Sequence, residues 1–363
     1  MEEIVKITNG RSQKDVEDKE GLYPIYGSGG IIGKATEFLC EAGTTIIGRK
    51  GTINNPIFVE ERFWNIDTAF GMKPQYAISD KYFFFFCQHF NFSKLDKSTA
   101  VPSLTQSAIN DIFIPIPPTN EQKRIVKEII RCFSVVEILE KEKIDLQLTI
   151  EQTKSKILDL AIHGKLVPQN PTDEPASELL KRINPKAEIT CDNPHYRNLP
   201  EGWAVIKVGN VAKYTNGRAF KPEEWESTGL PIIRIQNLND ADAPYNRSSV
   251  IHEQKYLVKD GDLLFAWAAS IGTYIWSGEN AWLNQHIFKV EPYPFIDKAF
   301  LFYAFQAMIS EFYKNSHGSG MVHITKKQFE EITLLLPPLS EQIRIVECLE
   351  QTFSILDSIN CNL

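Results

Sequence analysis

Residues 112–139 read IFIPIPPTNEQKRIVKEIIRCFSVVEIL, and residues 332–359 read ITLLLPPLSEQIRIVECLEQTFSILDSI. Pro117-Pro118 recurs as Pro337-Pro338, Glu121-Gln122 as Glu341-Gln342, Arg124-Ile125-Val126 as Arg344-Ile345-Val346, and Phe133-Ser134 as Phe353-Ser354. The spacing is 220 positions throughout. Similarity this dense at one offset marks a tandem duplication. The segments ahead of the two blocks align more loosely. Thr8-Asn9-Gly10-Arg11 matches Thr215-Asn216-Gly217-Arg218, Trp64, Phe70 and Pro74 match Trp282, Phe288 and Pro292, and Leu104-Thr105 matches Ile324-Thr325. Each repeat is a variable globular segment followed by a near-constant helix. The period is too long for a solenoid and suits two similar domains.

The near-constant block reads as a helix. Pro117-Pro118 ends the preceding strand, Thr119 or Asn120 offers an N-cap, and Glu121 places an acidic group in the first turn. Ile125, Ile129, Cys132, Val136, Leu139, Lys143, Leu146, Ile150, Thr153, Ile157 and Leu160 follow alternating spacings of four and three, broken in character only at Lys143 and Thr153. That is a coiled-coil seam, and Gly164 supplies the stop. The span would be about 65 Å long at ~1.5 Å per residue. The second copy begins the same seam with Ile345, Leu349, Thr352, Leu356, Ile359 and Leu363. A long helix with one apolar stripe needs a partner, and an antiparallel pairing of the two copies is expected. The expected organisation is a first domain over 1–118, a helix over 119–165, a Pro/Asn/Asp-rich linker over 166–199 with a short helix at Ala176–Ile183, a second domain over 200–338, and a short second helix over 339–363.

Composition narrows the function. The 363 residues include 43% apolar side chains, with 22 Phe, 12 Tyr and 6 Trp, which excludes disorder as the dominant state. No apolar run approaches the ~18 residues needed to cross a bilayer. The Met1-Glu2-Glu3 start does not read as a signal peptide. Six cysteines form no C-x-x-C pair and no metal spacing, so reduced thiols in the cytoplasm are expected. A net charge of −7 argues against a strong non-specific nucleic-acid binder. It leaves room for a reader that borrows phosphate contacts from a partner.

Both variable segments read as α+β, with short strands between Gly, Asn and Asp turns. Thr44–Gly48, Ile57–Glu60 and Thr68–Met72 are strand-like in the first, and Lys81–Phe92 is helical. In the second, Pro231–Ile235, Asp262–Trp267, Thr273–Trp276 and His286–Val290 are strands, and Asp297–Lys314 is a helix. Catalytic motifs do not survive inspection. Gly27-Ser28-Gly29-Gly30 with Gly33 has its third glycine one place late for a dinucleotide loop and no helix after it, so it reads as a turn. Asn54-Asn55-Pro56-Ile57-Phe58 is similar to an adenine-methyltransferase loop but has Ile57 where a proline belongs. No strand–Gly-x-Gly–helix unit precedes it. His286, beside Ile287-Phe288, reads as a satisfied structural residue. No metal set, no cofactor loop and no catalytic pair emerges.

Polar and basic loop material does recur at matching places. The first domain offers Arg11, Lys34, Arg49, Lys50, Ser98, Thr99, Thr105 and Gln106. The second offers Arg218, Arg234, Gln236, Asn237, His317, Ser319, His323, Thr325, Lys326 and Lys327. Arg and Lys suit guanine edges, Asn and Gln suit adenine edges, and hydroxyls suit phosphates. These are the candidate DNA contacts. The candidate partner-binding seam is Ile125, Ile129, Val136, Leu139, Leu146, Ile150, Ile157 and Leu160 with Ile345, Leu349, Leu356 and Ile359.

The arrangement resembles the specificity subunits of type I restriction–modification systems. The resemblance rests on the Pro-Pro-x-x-Glu-Gln-x-x-Ile-Val openings at 117–126 and 337–346, and on the Ala161-Ile162-His163-Gly164-Lys165-Leu166-Val167 helix exit. Leu199-Pro200-Glu201-Gly202-Trp203 and Tyr23-Pro24-Ile25-Tyr26-Gly27-Ser28-Gly29-Gly30 add to it. It implies two target-recognition domains held apart by antiparallel conserved helices, each reading half of a bipartite double-stranded DNA target, with helix length setting the spacer. It implies a non-catalytic chain without a cofactor of its own. Its partners would be two methyltransferase subunits that bind S-adenosylmethionine and flip the target adenine, and a translocase–nuclease subunit. Two departures stand out. Met1–Lys6 aligns with Val208–Lys213, so the first domain lacks a counterpart of Leu199–Lys207, and the second helix stops about 20 residues before its counterpart does. The competing class is a coiled-coil adaptor whose domains bind protein.

Overall fold

A computed structural model describes residues 1–98, 101–183, 199–240, 242–316 and 322–363. They form two compact units, Met1–Glu142 and Lys143–Leu363.

The first unit opens with β1 (Val5–Asn9), β2 (Tyr23–Gly27), β3 (Gly30–Ala35), β4 (Thr44–Gly48), β5 (Ile57–Val59), β6 (Trp64–Asn65) and β7 (Ala69–Pro74). Four strands form an antiparallel sheet in the order β1-β7-β4-β5, and three form a second sheet, β3-β2-β6, in which β2 and β6 run parallel. Helices α1 (Asp80–His89) and α2 (Gln106–Asn110) follow, then α3 (Thr119–Ile162), which begins in this unit. The core gathers Ile47, Phe70, Met72, Phe83, Cys87, Phe92 and Ile109, with Ile125 and Val126 of α3 packed against it.

The second unit repeats the plan. After α4 (Ala176–Ile183) come β8 (Ala204–Lys207), β9 (Ala212–Asn216), β10 (Leu230–Ile233), α5 (Ile235–Asn239), β11 (Arg247–Ser248), β12 (Leu257–Val258), β13 (Leu263–Ala266), β14 (Gly272–Ile275), β15 (Ala281–Leu283) and β16 (Ile287–Pro292). Helices α6 (Lys298–Ala307), α7 (Ile309–Lys314) and α8 (Lys326–Glu331), strand β17 (Thr333–Leu336) and α9 (Leu339–Cys361) complete it. The order β9-β16-β13-β14 reproduces β1-β7-β4-β5, and the parallel β10–β15 pair reproduces β2–β6. A phenylalanine cluster fills the core, with Phe265, Phe288, Phe305, Phe312 and Phe329 stacked edge to face or tilted.

The repeated Glu-Gln opening has a structural reason. Gln342, fully buried, accepts the Asp297 amide on Oε1 (2.7 Å) and donates through Nε2 to Phe295 O (3.2 Å) and Pro337 O (3.0 Å). Gln122, equally buried, accepts the Ser79 amide (2.8 Å) and donates to Ala77 O (3.1 Å) and Pro117 O (2.9 Å). Ser79 and Asp297 are the N-caps of α1 and α6. One glutamine in each repeat therefore ties the start of the long helix to the start of the domain's own helix, satisfying backbone groups that burial would otherwise orphan.

The expected C-terminal stop of α3 is present. Gly164 takes φ +64° and Lys165 N donates back to Leu160 O at 2.9 Å, a glycine-dependent terminus that satisfies the last carbonyls. The seam is shorter than the periodicity suggests. Ile150 is 3% exposed, and Ile157, Leu158 and Ala161 pack with Ile345 and Leu349. The Lys154–Asp357 ion pair (2.6 Å) sits where α9 is running out. The pairing is antiparallel, because Ala161, at the far end of α3, lies in the core with residues from the start of α9. Every side chain from Arg131 to Leu146 is exposed, including Val136, Leu139 and Leu146. Leu160 and Leu356 are half-buried and Ile359 is exposed, while Ile129 is half-buried in the first unit.

Among the element boundaries that differ from expectation are three in or beside helices. The strand from Pro231 ends at Ile233, because Arg234 N is capped by Asn237 Oδ1 and a helix starts. The Asp297–Lys314 helix breaks at Met308 into α6 and α7. The Lys81–Phe92 helix ends at His89, and Phe92–Leu95 is a separate turn held by Asn91. The Leu199–Lys207 segment earns its place by strand pairing. β8 adds to β17 in register from Ala204–Leu336 to Lys207–Thr333, and Trp203 Nε1 donates to Glu341 Oε2 at 3.0 Å. In the first unit, residues 113–116 carry no strand and Phe113 is 95% exposed. The Met1 nitrogen donates to Ile112 O (2.8 Å) as Val208 N does to Ile332 O (2.7 Å). Among the described residues, no helix is long and apolar enough to cross a membrane.

Candidate nucleic-acid interface

Most of the candidate loop residues of the first unit converge at one end of its sheet. Gly10 N donates to Ala69 O, Arg11 N to Asn65 O, Arg49 N to Thr68 O, Gly51 N to Pro102 O and Leu104 N to Arg49 O. These bonds bring Arg11, Arg49, Lys50 and the 102–106 segment together. Asn9 Nδ2 reaches Gln106 Oε1 at 3.1 Å. Arg11 and Lys50 are exposed, and Arg49 lies over the Phe70 ring at 5.8 Å. Thr105 caps α2, with Oγ1 accepting from Ala108 N, so its hydroxyl is spent on structure. Ser98 is held by Asp96, which also accepts the Ser103 amide. Those three bonds hold the Asp96 carboxyl below its ordinary value. Lys34 is exposed on β3, and among the described residues no hydrogen bond joins its side chain to the group. Thr99 lies outside the described residues.

The second unit builds the same frame. Gly217 N donates to Ile287 O, Arg218 N to Leu283 O, Trp267 N to His286 O, Ala269 N to Val322 O and Ile324 N to Trp267 O. Arg218 is less free than its sequence suggests. Its guanidinium pairs with Glu224 (2.6 Å), contacts His252 (3.0 Å) and covers the Phe220 ring at 4.5 Å. Burial first, then the Arg218 charge, holds His252 below its ordinary value, and Glu224 opposes this. The imidazole is therefore neutral beside the guanidinium. Arg234 lies over the Trp225 ring at 5.4 Å, and Gln236 is exposed next to it.

Asn237 is a structural residue. It is buried, accepts the Arg234 amide and donates to Ala243 O and Pro244 O. Thr325 and Gln328 form a capping box at the start of α8. Lys326 sits 3.5 Å from Glu330. Lys327 faces a separate groove of about 850 Å³ lined also by Asp159, His163, Glu311 and Lys314. His323 bridges Ala268 through its backbone. His317 and Ser319 lie outside the described residues.

The structure adds residues that sequence reasoning missed. Trp267 Nε1 donates to Asn216 Oδ1 at 3.0 Å and its ring stands 4.7 Å from His286. His286 lies ahead of β16 rather than in it, at φ +72°. Its Nδ1 finds no partner among the described residues, and neither does Asn284 Oδ1. The reading of His286 as a satisfied strand residue is thereby corrected: the left-handed turn swings it out of the ladder. Burial, reinforced by His323, lowers its pKa, so it is a neutral donor and acceptor at neutral pH. Among the described residues no group of three or more His, Cys, Asp or Glu side chains is placed to hold a metal ion. Each unit thus presents hydrogen-bonding side chains on loops braced by a rigid sheet, a surface suited to reading polar edges.

Comparison with known proteins follows the duplication. The sequence model of the type I restriction modification DNA specificity domain matches residues 1–148 and again 200–362. The chain is 28% identical over 342 residues to the type I restriction enzyme EcoAI specificity subunit of Escherichia coli, an alignment covering 72% of this chain and 57% of that protein. It therefore spans little more than half the length of that relative. Two solved structures share the fold. The specificity subunit from Thermoanaerobacter tengcongensis superposes with a TM-score of 0.57 at 19% identity, covering 89% of this chain and 76% of that one. A chain from a study of complex assembly and conformational transition in the type I restriction–modification system gives 0.69 at 17% identity, covering 99% and 90%.

Proposed function

The chain belongs to the family of type I restriction modification DNA specificity domains, and from that premise we propose that it is the DNA-recognition subunit of such a system. Each unit reads one half of a bipartite double-stranded target, and the long helices set the distance between the halves and dock methyltransferase subunits, two in number. The observation that carries this reading is the repeated frame. The same strand order and the same set of loop-to-strand backbone bonds recur in both units, with different polar side chains mounted on them.

The rest of the assembly follows from the chemistry the chain leaves to others. Methyl transfer belongs to the partner, which supplies S-adenosylmethionine and flips the target adenine; a translocase–nuclease subunit completes the restriction complex. Exposed Ile130, Phe133, Val135, Ile138 and Leu139 on α3 support partner docking there, since apolar surface of this kind marks interaction sites. A net charge of −7 accords with partners carrying much of the phosphate neutralisation. The compartment is the cytoplasm, where the DNA is.

The test is methyl transfer to a random-sequence DNA library by a type I methyltransferase subunit with and without this chain. With it, methylation concentrates at one split sequence. Unchanged selectivity, or methyl transfer by the chain alone, contradicts the reading.

A further inference from the structure

The two units share a backbone frame but differ at one cleft within it. In the second unit a cleft of about 210 Å³ is lined by Arg234, Gln236, Asn284, Gln285 and His286 together with Ala268-Ala269. Its walls are fixed by main-chain bonds. Asn284 N donates to Ile233 O, Gln285 N to Arg218 O, and Trp267 N to His286 O. The first unit makes the corresponding bonds Ile66 N to Tyr26 O and Arg49 N to Thr68 O. The strand pairings Ile25–Trp64 and Ile232–Trp282 fix the correspondence. Gly27 then stands where the second unit has Arg234, and beyond it the first unit turns from β2 into β3 where the second starts α5. Ile66-Asp67-Thr68 stands for Asn284-Gln285-His286, and Lys50-Gly51 for Ala268-Ala269.

A constant frame with exchanged side chains is what two readers of different sequences require. Five buried polar side-chain atoms lack a hydrogen-bond partner among the described residues, and two of them, Asn284 Oδ1 and His286 Nδ1, belong to side chains of this cleft. Such atoms are costly unless a ligand or water satisfies them. We propose that this cleft is the specificity-determining site of the second unit, reading the polar edge of a base in duplex DNA through Asn284, Gln285, His286 and Arg234, and that Lys50, Asp67 and Thr68, at the matching positions, do so in the first. The amides match adenine and the guanidinium guanine, while Asp67 accepts from the cytosine amino group.

The inference rests on the proposed function, and the experiment separates the two. The full chain, assembled with a methyltransferase subunit, selects from random DNA that is then sequenced. Asn284→Ala relaxes preference by roughly ten-fold or more at one position of the second half-site and leaves the first half-site unchanged. Asp67→Ala does the reverse. If Asn284→Ala fails to fold, Gln285→Ala carries the test, because that side chain is exposed. Wild-type preference retained at every position in the folded variants, or a uniform weakening on all sequences, overturns the cleft while leaving the subunit's role intact. A wild-type complex without any split preference overturns both.

Discussion

Replacing Gln342 by Ala is the sharpest probe of what the constant block does for the fold. The side chain is fully buried and holds three main-chain partners, the Asp297 amide and the Phe295 and Pro337 carbonyls. A typical net contribution is about 1 kcal/mol per hydrogen bond, and each backbone group left buried and unpaired costs about 1–3 kcal/mol. Partial relaxation and water entry reduce the sum, so a loss of about 3–5 kcal/mol is expected. That is a large part of the ~5–15 kcal/mol that stabilises a folded domain. Tryptophan fluorescence in urea reads the second unit selectively, since Trp203, Trp225, Trp267, Trp276 and Trp282 lie there and the first unit has Trp64. With a slope of about 2–3 kcal/mol per molar urea, the midpoint falls by about 1–2.5 M. Gln122→Ala, which removes the matching bonds of the first unit, leaves that transition in place and instead speeds hydrogen exchange in Thr44–Gly48. An unshifted tryptophan transition in Gln342→Ala would refute the capping role.

Three further outcomes follow from burial and charge. Ile150→Asp places a charge at a 3% exposed position and lowers stability by roughly 3–5 kcal/mol, whereas Val136→Asp, on the exposed stretch, stays within about 0.5 kcal/mol; equal effects in urea melts would contradict the short seam. Burial raises the Glu341 carboxyl above its ordinary 4.5, against the pull of Gln169 and Trp203. The folded state therefore holds that proton more tightly than the unfolded chain does, and the group's contribution is greatest below the ordinary value and is lost as pH rises through the raised one. The stability of wild type relative to Glu341→Gln should accordingly fall as pH climbs from the ordinary value, and a difference that grows would reverse the sign. Alkylation of the native protein should modify exposed Cys132 and Cys361. It should spare Cys40, pushed up to about 12 by burial, and Cys87, pushed up further by the same cause; rapid labelling of either by mass spectrometry counts against these cores.

Much of the fold was legible because duplication doubles every signal. The paired Pro-Pro and Glu-Gln blocks, the glycine stop at Gly164 and the Ala176–Ile183 helix are local features, encoded within a few residues of where they act. The extent of the seam was not, because an apolar stripe does not say which of its residues a partner helix covers. The cleft was not legible either. Arg234, Ala269 and Asn284–His286 come from three separate stretches joined by strand pairing, and the left-handed turn at His286 has no glycine to announce it. Conversely, Thr105, Thr325 and Asn237 have the chemistry of base or phosphate contacts, yet all three cap helices. Side-chain type alone does not separate a capping residue from a reading one.

The central claim is that two units read two half-sites independently. The direct measurement replaces residues 200–335 with the corresponding domain of a related specificity subunit, assembles the chain with a methyltransferase subunit, and sequences the DNA it selects. The account predicts that one half of the split target changes to the donor's sequence while the other half remains as in wild type. A swap that alters both halves, or neither, would contradict it.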